Sequence, residues 1–420
     1  MTPDYDPCLR AWRDDPYPHY RELRDHAPVY WAPATRAWCI SRYDDVLFAL
    51  RSPELFSSRA MFTFLMNQGR EGPPPLNWQT LRFLVRFLWK TRLNPLEFTT
   101  ARNLIAEDGE RHSAMRAIVN RGFTPRRVAS WEARASELVA ESMAKLRSGA
   151  PFDLVEDLAI PLPVGIIAEM LGVEASRRRD FKRWSDAMID AATGPGRENP
   201  FQPRVANAML ELLSYLRAVA VARRRHPSDD LVSVIVAEQD GERALTTREV
   251  IQFAMLLLVA GNETTTNLIG NAVAALLDHS DQLARLARDP SLVPAVIEET
   301  LRYDAPVQVL FRLATQDVEL AGTRIPKGAY VALLLGSANR DERRFPEPDR
   351  FDAARDAQGH LGFGFGKHFC LGASLARMEA RVALEALRAE LPRLERARPQ
   401  ELVDSFLVRG PRHLELRRAA

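Results

Sequence analysis

The sequence predicts a mainly α-helical protein with a smaller β region, an α+β fold. Apolar residues recur at helical spacing over long segments, most clearly between Val250 and Leu277. Strand-like runs are short and gather near both ends of the chain. No stretch has the composition of a linker, and no internal repeat is present. We therefore expect one domain over residues 1–420.

The helix Val250–Leu277 is the longest predicted element. Thr246 or Thr247 can cap it, with Glu249 in its first turn. Further helices are predicted at Pro125–Leu146, Ser176–Ala192, Arg204–Arg225, Asp281–Ala287, Leu292–Tyr303 and Leu371–Leu391. Short strands are predicted at Val29–Trp31, Ala37–Ile40, Val318–Leu320, Ala329–Leu335 and His413–Leu416.

Two long segments, Phe62–Thr100 and Thr193–Pro203, are typical of functional loops rather than simple turns. Within the first, Trp78–Arg92 predicts an amphipathic helix with one apolar and one basic stripe. The stripes are Leu81, Leu84, Val85 and Leu88, and Arg82, Arg86 and Lys90. Three interpretations are open: a lid over a substrate entrance, a packed surface helix, or a contact with a membrane surface.

Composition narrows the class of protein. The 420 residues carry 57 basic and 55 acidic side chains, and this near-neutral balance argues against a nucleic-acid-binding protein. The three cysteines, Cys8, Cys39 and Cys370, are a poor basis for disulfides and suit a reducing cytoplasm. No signal peptide is recognisable at the start. The longest apolar runs, Phe253–Gly261 and Ala329–Gly336, are too short for a transmembrane helix.

One cysteine lies in a special context. Cys370 belongs to the run Phe363–Gly372, which is rich in glycine and is followed at once by a helical pattern. A helix N-terminus stabilises a thiolate, the form that ligates metals. No second cysteine or histidine lies at zinc spacing, so a single thiolate on a haem iron fits better than a structural zinc. The alternative is a buried, inert cysteine.

This run resembles the cysteine-loop signature of the cytochrome P450 superfamily, specifically its soluble bacterial members. The resemblance covers nearly the whole chain. It implies that Cys370 is the axial ligand of a haem b iron and that His368 is a haem-propionate donor. It also implies the P450 fold, in which the haem lies between the long central helix and the helix after the cysteine loop.

A second motif, Ala260–Thr265, lies in the middle of the long helix. Gly261 and the three threonines from Thr264 to Thr266 make a weak helix interior that can open locally. In the P450 family the equivalent residues form an acid–alcohol pair beside the site where O2 reacts. The resemblance therefore implies that Glu263 and Thr264 are catalytic and deliver protons.

A third motif is Glu299–Arg302, whose acid and base lie one helical turn apart and can pair. Taken alone, this pair could be an ordinary surface contact. In the family it is a buried structural ion network joined by an arginine from a later loop. Arg350 matches that position in this sequence.

The remaining matches concern the haem propionates, which need cationic or N–H donors. His112 and Arg116 resemble the family's partners for these carboxylates, and Arg312 resembles a further one. Each could instead be an ordinary surface charge.

The resemblance implies a monooxygenase that inserts one atom of O2 into a C–H bond. The residues that family topology puts near the substrate are all apolar, which favours a terpenoid or a steroid-like molecule. They are Ala260, Val307, Val309, Leu310, Phe406 and Leu407. A fatty acid held by the arginines of Phe62–Thr100 is the alternative substrate.

No flavin or iron–sulfur motif occurs, so a ferredoxin and a ferredoxin reductase are the expected electron donors. A basic surface around the cysteine loop, with Lys367, Arg377, Arg126 and Arg127, could bind an acidic ferredoxin. We expect a cytoplasmic monomer. A peroxide-using haem enzyme and a non-catalytic haem sensor are the competing functions, and the Glu263–Thr264 pair argues against both.

Overall fold

Helices make up most of the chain, as the sequence predicts. The computed structural model describes residues 5–60, 78–94, 103–193, 202–237 and 244–419. The α-helices in these ranges are Arg10–Asp14, Tyr17–His26, Tyr43–Arg51, Trp78–Thr91, Gly109–Asn120, Pro125–Ser130, Glu132–Arg147, Pro161–Met170, Arg178–Thr193, Pro203–Arg225, Leu231–Val236, Thr247–Asp278, Ser280–Arg288, Val293–Tyr303, Leu335–Ala338 and Ala373–Leu387.

The strands are short and form small sheets. The largest sheet has the order Val29–Ala32, Ala37–Ile40, Tyr330–Leu334, Val309–Ala314 and Phe56–Ser57. Its neighbours are antiparallel except for the parallel pair of Ala37–Ile40 with Tyr330–Leu334. The other described sheets are Phe152–Asp153 with Glu415–Arg418 and Leu394–Arg396, Val318–Leu320 with Thr323–Ile325, and Glu401–Leu402 with Pro411–His413.

The chain divides into two compact units. The first comprises Met1–Gly69, Glu132–Leu162 and Thr264–Ala420, and it contains the sheets. The second comprises Arg70–Trp131 and Pro163–Glu263. The single domain expected from the sequence stays a prediction.

The long helix Thr247–Asp278 begins with a capping box. The Thr246 backbone N–H donates to Glu249 Oε2 at 2.8 Å, and the Glu249 N–H donates to Thr246 Oγ1 at 3.3 Å. Thr246 is therefore the cap, and Thr247 is the first helical residue. The helix continues through Gly261 without the local opening that the sequence suggested. A Cβ at Gly261 would lie 3.1 Å from Ile167 Cδ1, so this glycine permits close packing of two helices within the second unit.

The predicted loops Phe62–Thr100 and Thr193–Pro203 lie largely outside the described residues. The helix predicted inside the first of them is confirmed as Trp78–Thr91. Among the described residues, Pro203–Arg225 is long and apolar enough to cross a membrane by length and composition, and half of its most apolar window is buried inside the protein.

Candidate active site

The cysteine loop is held by its own backbone. Cys370 N–H donates to the Phe363 carbonyl at 2.9 Å, and Gly364 N–H donates to the Leu361 carbonyl at 2.8 Å. Gly364 and Gly366 have φ of +69° and +70°, a region that favours glycine. These bonds hold the half-buried Cys370 immediately before the helix Ala373–Leu387.

Neighbouring elements contact the cysteine loop at two of its glycines, and the contact is tight at Gly366. A Cβ at Gly364 would lie 3.7 Å from the His368 carbonyl oxygen and 3.9 Å from Leu310 Cδ1. A Cβ at Gly366 would lie 3.1 Å from the Leu50 carbonyl oxygen. The loop thus packs against strand Val309–Ala314 and the end of helix Tyr43–Arg51.

Arg377 anchors the start of the following helix. Its Nε and Nη2 donate to Glu298 at 2.6 and 2.8 Å, and its guanidinium lies 4.6 Å from the centre of the Phe363 ring. His360 Nε2 also contacts Glu298, at 3.1 Å. The Arg377 charge is therefore paired with Glu298 although the side chain is 36% exposed, which reduces the part it can play in the predicted basic docking surface.

The three cysteines differ in environment. Burial raises the pKa of Cys39 to about 12, so its thiol stays neutral and inert. Cys8 is exposed near the N-terminal helix, where no glycine loop surrounds it. Cys370 alone combines partial exposure with a position in front of a long helix.

The predicted propionate partners lie in both units. Arg312 is 5% exposed on strand Val309–Ala314, and His368 belongs to the short turn before Cys370. His112 and Arg116 lie one turn apart on helix Gly109–Asn120 of the second unit, where His112 is buried.

This donor set fits a haem. The half-buried Cys370 thiol suits the iron, and the guanidinium and imidazole groups of Arg312 and His368 suit its carboxylates. Across the described ranges, no group of three or more His, Cys, Asp or Glu side chains could hold a metal ion.

The predicted acid–alcohol pair lies on the long helix. Glu263 and Thr264 are consecutive and half-buried. Two residues after Thr264, and within the first unit, Thr266 Oγ1 donates to the Ala159 carbonyl at 2.9 Å.

Sequence reasoning missed a buried acid, Glu379, on the helix that follows the cysteine loop. Glu379 is 1% exposed and forms a side-chain hydrogen bond with Thr265. Burial raises its pKa to about 8, so the carboxyl group is protonated at neutral pH. A signal existed, because Glu379 interrupts the apolar stripe formed by Leu375, Met378 and Val382 on that helix.

Glu379 should make stability depend on pH. The native state keeps its proton up to a pH of about 8, while the unfolded chain releases it near the ordinary value of 4.5. Between these two pH values the unfolded state therefore binds fewer protons than the native state. The free energy of unfolding falls as the pH rises through this window. As the pH is raised from 6 to about 8, we expect the melting temperature of Glu379→Gln to increase relative to that of wild type.

The control is Glu385→Gln on the same helix, because the Glu385 side chain is 45% exposed and pairs with Arg381 at the surface. This variant should change the free energy of unfolding by less than about 1 kcal/mol, because a surface ion pair contributes little. A constant difference between Glu379→Gln and wild type across the range would contradict a protonated Glu379.

The predicted ion pair Glu299–Arg302 is present and completely buried. Arg302 Nε and Nη2 each donate to the Glu299 carboxylate at 2.8 Å, and both side chains are 0% exposed. The remaining Arg302 donors reach the carbonyls of Asn339, Pro348 and Arg350 at 3.0, 2.8 and 3.3 Å. All the guanidinium donors of Arg302 are thus bonded.

The arginine that completes this network is Arg355, so the prediction of Arg350 is wrong. Arg355 Nε donates to Glu299 Oε1 at 3.1 Å. The Arg350 side chain is 57% exposed and lies 3.7 Å from Glu347. Arg350 contributes only its backbone carbonyl, because the loop turns its side chain toward solvent.

The apolar candidates for substrate contact do not share one surface. Val309 is 2% exposed and packs in a core cluster with Phe311, on the strand face opposite to Leu310. Val309 is therefore buried in a core cluster, and its contact with the substrate stays a prediction. Phe406 lies on the same face as Val309, with its ring 6.3 Å from the Phe311 ring.

Other candidates do come together. Val307 forms a β-bridge with Val408, and the Gln308 N–H donates to the Leu407 carbonyl at 2.8 Å. These contacts bring the segment before strand Val309–Ala314 next to the turn that carries Leu407. Ala260 is exposed on the part of the long helix that belongs to the second unit.

Comparisons with known proteins identify the family. A family model described as Cytochrome P450 matches residues 199–387. The chain is 39% identical to the vitamin D(3) 25-hydroxylase of Pseudonocardia autotrophica, over 97% of this chain and 95% of that protein. Two solved structures resemble the fold along nearly its whole length.

Cytochrome P450 CYP109Q5 from Chondromyces apiculatus has a TM-score of 0.85 and 40% identity, covering 100% of this chain and 99% of its own. CYP109E1 from Bacillus megaterium in complex with testosterone has a TM-score of 0.81 and 33% identity, covering 97% of this chain and 100% of its own. The predicted fold is confirmed, and the family implies a haem cofactor, O2 and a small-molecule substrate. The chain belongs to the cytochrome P450 family and is a P450 monooxygenase.

Proposed function

We propose that this P450 hydroxylates an apolar small molecule of the steroid or terpenoid class. The observation that carries the proposal is the similarity to a vitamin D(3) hydroxylase and to a P450 that binds testosterone. The apolar character of Val307, Leu310 and Leu407 supports the same class.

The cofactor is proposed to be haem b, with Cys370 as the iron ligand. When bound, it supplies the activation of O2 that C–H hydroxylation requires. His112, Arg116, Arg312 and His368 would hold its propionates, because each offers an N–H donor to a carboxylate.

Glu263 and Thr264 are proposed to deliver protons. The carboxyl group of Glu263 can exchange protons with solvent, since it is half-buried, and the hydroxyl group of Thr264 can pass a proton onward from the next position of the helix. The hydroxyl both accepts and donates, which suits it to a relay.

Thr264→Ala tests this relay. We expect unchanged haem content and substrate affinity, but a several-fold loss of product per NADPH. When protons arrive out of place, O2 takes up two electrons from NADPH and two protons and is released as hydrogen peroxide. The measurement is product and peroxide per NADPH consumed. Thr264→Ser keeps the hydroxyl and should stay close to wild type, and equal coupling in all three proteins would remove Thr264 from the mechanism.

The electron donors are proposed to be a ferredoxin and its reductase, which would bind beside the cysteine loop. Lys367 is exposed in that loop and can meet an acidic partner. Arg126 and Arg127 belong to the second unit, where Arg127 lies 3.4 Å from Asp229. We further propose that the protein is a cytoplasmic monomer.

A binding-spectrum titration with testosterone, vitamin D3, a terpenoid and a C16 fatty acid tests the substrate class. We expect spectral shifts with the polycyclic or terpenoid compounds, and hydroxylated product with O2 and a ferredoxin system. A response to the fatty acid alone would favour the alternative substrate. Product from peroxide alone at the same rate would favour a peroxide-using enzyme.

Leu310 and Val309 supply a matched pair for this assay. Leu310→Ala should weaken binding of the best ligand several-fold because Leu310 is only partly buried beside the cysteine loop. Val309→Ala should lower the melting temperature more than it changes affinity, because Val309 is 2% exposed and packs in a core cluster. The reverse pattern would contradict our assignment of the two strand faces.

A further inference from the structure

The helix Trp78–Thr91 turns much of its apolar surface outward. Trp78 and Trp89 are 76% and 79% exposed, and the side chains between them on the same face are about half exposed. These are Leu81, Val85 and Leu88. At about 100° per residue the five side chains cover an arc of roughly 100°, about 16 Å long.

A different face holds the helix to the protein. Phe87 and Thr91 are 4% and 0% exposed, and the helix packs on Pro203–Arg225 of the same unit. Arg86 Nη2 donates to Asn207 Oδ1 at 2.7 Å, and Ser214 Oγ donates to the Lys90 carbonyl at 3.2 Å. The helix is therefore anchored to the protein through one face, and the exposed apolar arc is a second, separate face.

Cations border the exposed arc. Arg82, Arg86 and Lys90 follow one another along one edge, Arg92 follows at the end, and no Asp or Glu occurs between Glu71 and Glu97. Glu211 of the underlying helix acts electrostatically on Lys90, but its carboxylate accepts hydrogen bonds from Arg183 and Trp184 at 2.6 and 2.9 Å. The face thus has an excess of positive charge.

We propose that this face docks on an anionic lipid bilayer. Tryptophan and leucine side chains enter the headgroup boundary of a membrane, while arginine and lysine beside them contact lipid phosphates. A second copy of the chain is a poorer occupant, because a symmetric contact would bring the same cations together. The face would hold the enzyme at the membrane surface through this helix.

Vesicle sedimentation of the haem-loaded protein tests the proposal, with phosphatidylcholine vesicles that contain or lack phosphatidylglycerol. We expect binding to the anionic vesicles that weakens as salt is raised. Trp78→Ser with Trp89→Ser should weaken binding at least tenfold. Arg82→Gln with Lys90→Gln should weaken it about fivefold for each cation removed, on anionic vesicles only.

Matched controls come from the first unit, where Leu9 and Trp31 are 53% and 41% exposed. Leu9→Ser with Trp31→Ser should bind vesicles like wild type, and circular dichroism should show all variants folded. The proposal is overturned if wild-type protein stays in solution with both kinds of vesicle. It is also overturned if the control variant loses as much vesicle binding as the tryptophan variant. A dimer, or a complex with an acidic ferredoxin, that only the tryptophan variant abolishes would also overturn it. No substrate is present, so the result is independent of the proposed function.

Discussion

Replacing Cys370 with serine should abolish the thiolate-type, red-shifted carbon monoxide spectrum of the reduced protein, together with its monooxygenase activity. A serine hydroxyl is a far weaker ligand and does not push electron density toward the iron. The backbone hydrogen bond from Cys370 to Phe363 does not use the thiol, so the loop should keep its shape. The measurements are the reduced carbon monoxide difference spectrum and product formation.

Cys8→Ser is the control, because Cys8 is exposed and lies outside the glycine loop. It should keep both the spectrum and the activity. If the thiolate spectrum survived in Cys370→Ser, or never appeared in wild-type protein, Cys370 would not be the axial ligand.

Replacing Glu299 with glutamine should lower the free energy of unfolding by about 3–5 kcal/mol, because it leaves the buried charges of Arg302 and Arg355 without their carboxylate. The position is 0% exposed, so water cannot take over the lost interaction. Denaturant unfolding of wild type and variant measures this decrease in the free energy of unfolding. The dependence of that free energy on denaturant concentration should be compared between the two proteins. Glu347→Gln, at a surface pair with 76% exposure, should change stability by less than about 1 kcal/mol.

Two arginine variants test which residue completes the network. Arg355→Ala should destabilise the protein clearly, because it removes a contact to Glu299 and bonds to the carbonyls of Glu347 and Arg350. Arg350→Ala should be close to neutral, because only its backbone takes part. Equal effects would contradict the arrangement described above.

Features that depend on local chemistry were predictable from the sequence. The glycine-rich run around Cys370 predicted the family, because tight backbone turns and a thiol before a helix leave a readable signature. The capping box at Thr246 and Glu249 was predictable for the same reason, since its hydrogen bonds join residues three apart. Most of the helices agree with their predicted positions to within a few residues.

The tertiary structure alone decided which side of each element is used. Strand Val309–Ala314 was not predicted as a strand, and its alternation sends Val309 into the core and Leu310 to the opposite face. Loop geometry placed the Arg355 side chain on Glu299 where the sequence suggested Arg350, because both arginines belong to one irregular loop with no period to separate them.

Burial of Glu379 and exposure of the Trp78–Trp89 face also depend on partners distant in the sequence. The raised pKa of Glu379 results from desolvation by the surrounding core. The helix Trp78–Thr91 carries apolar side chains on two faces, and its contact with Pro203–Arg225 selects the one that is covered. A local pattern shows that a helix is amphipathic, but only the elements packed against it determine which apolar surface meets solvent.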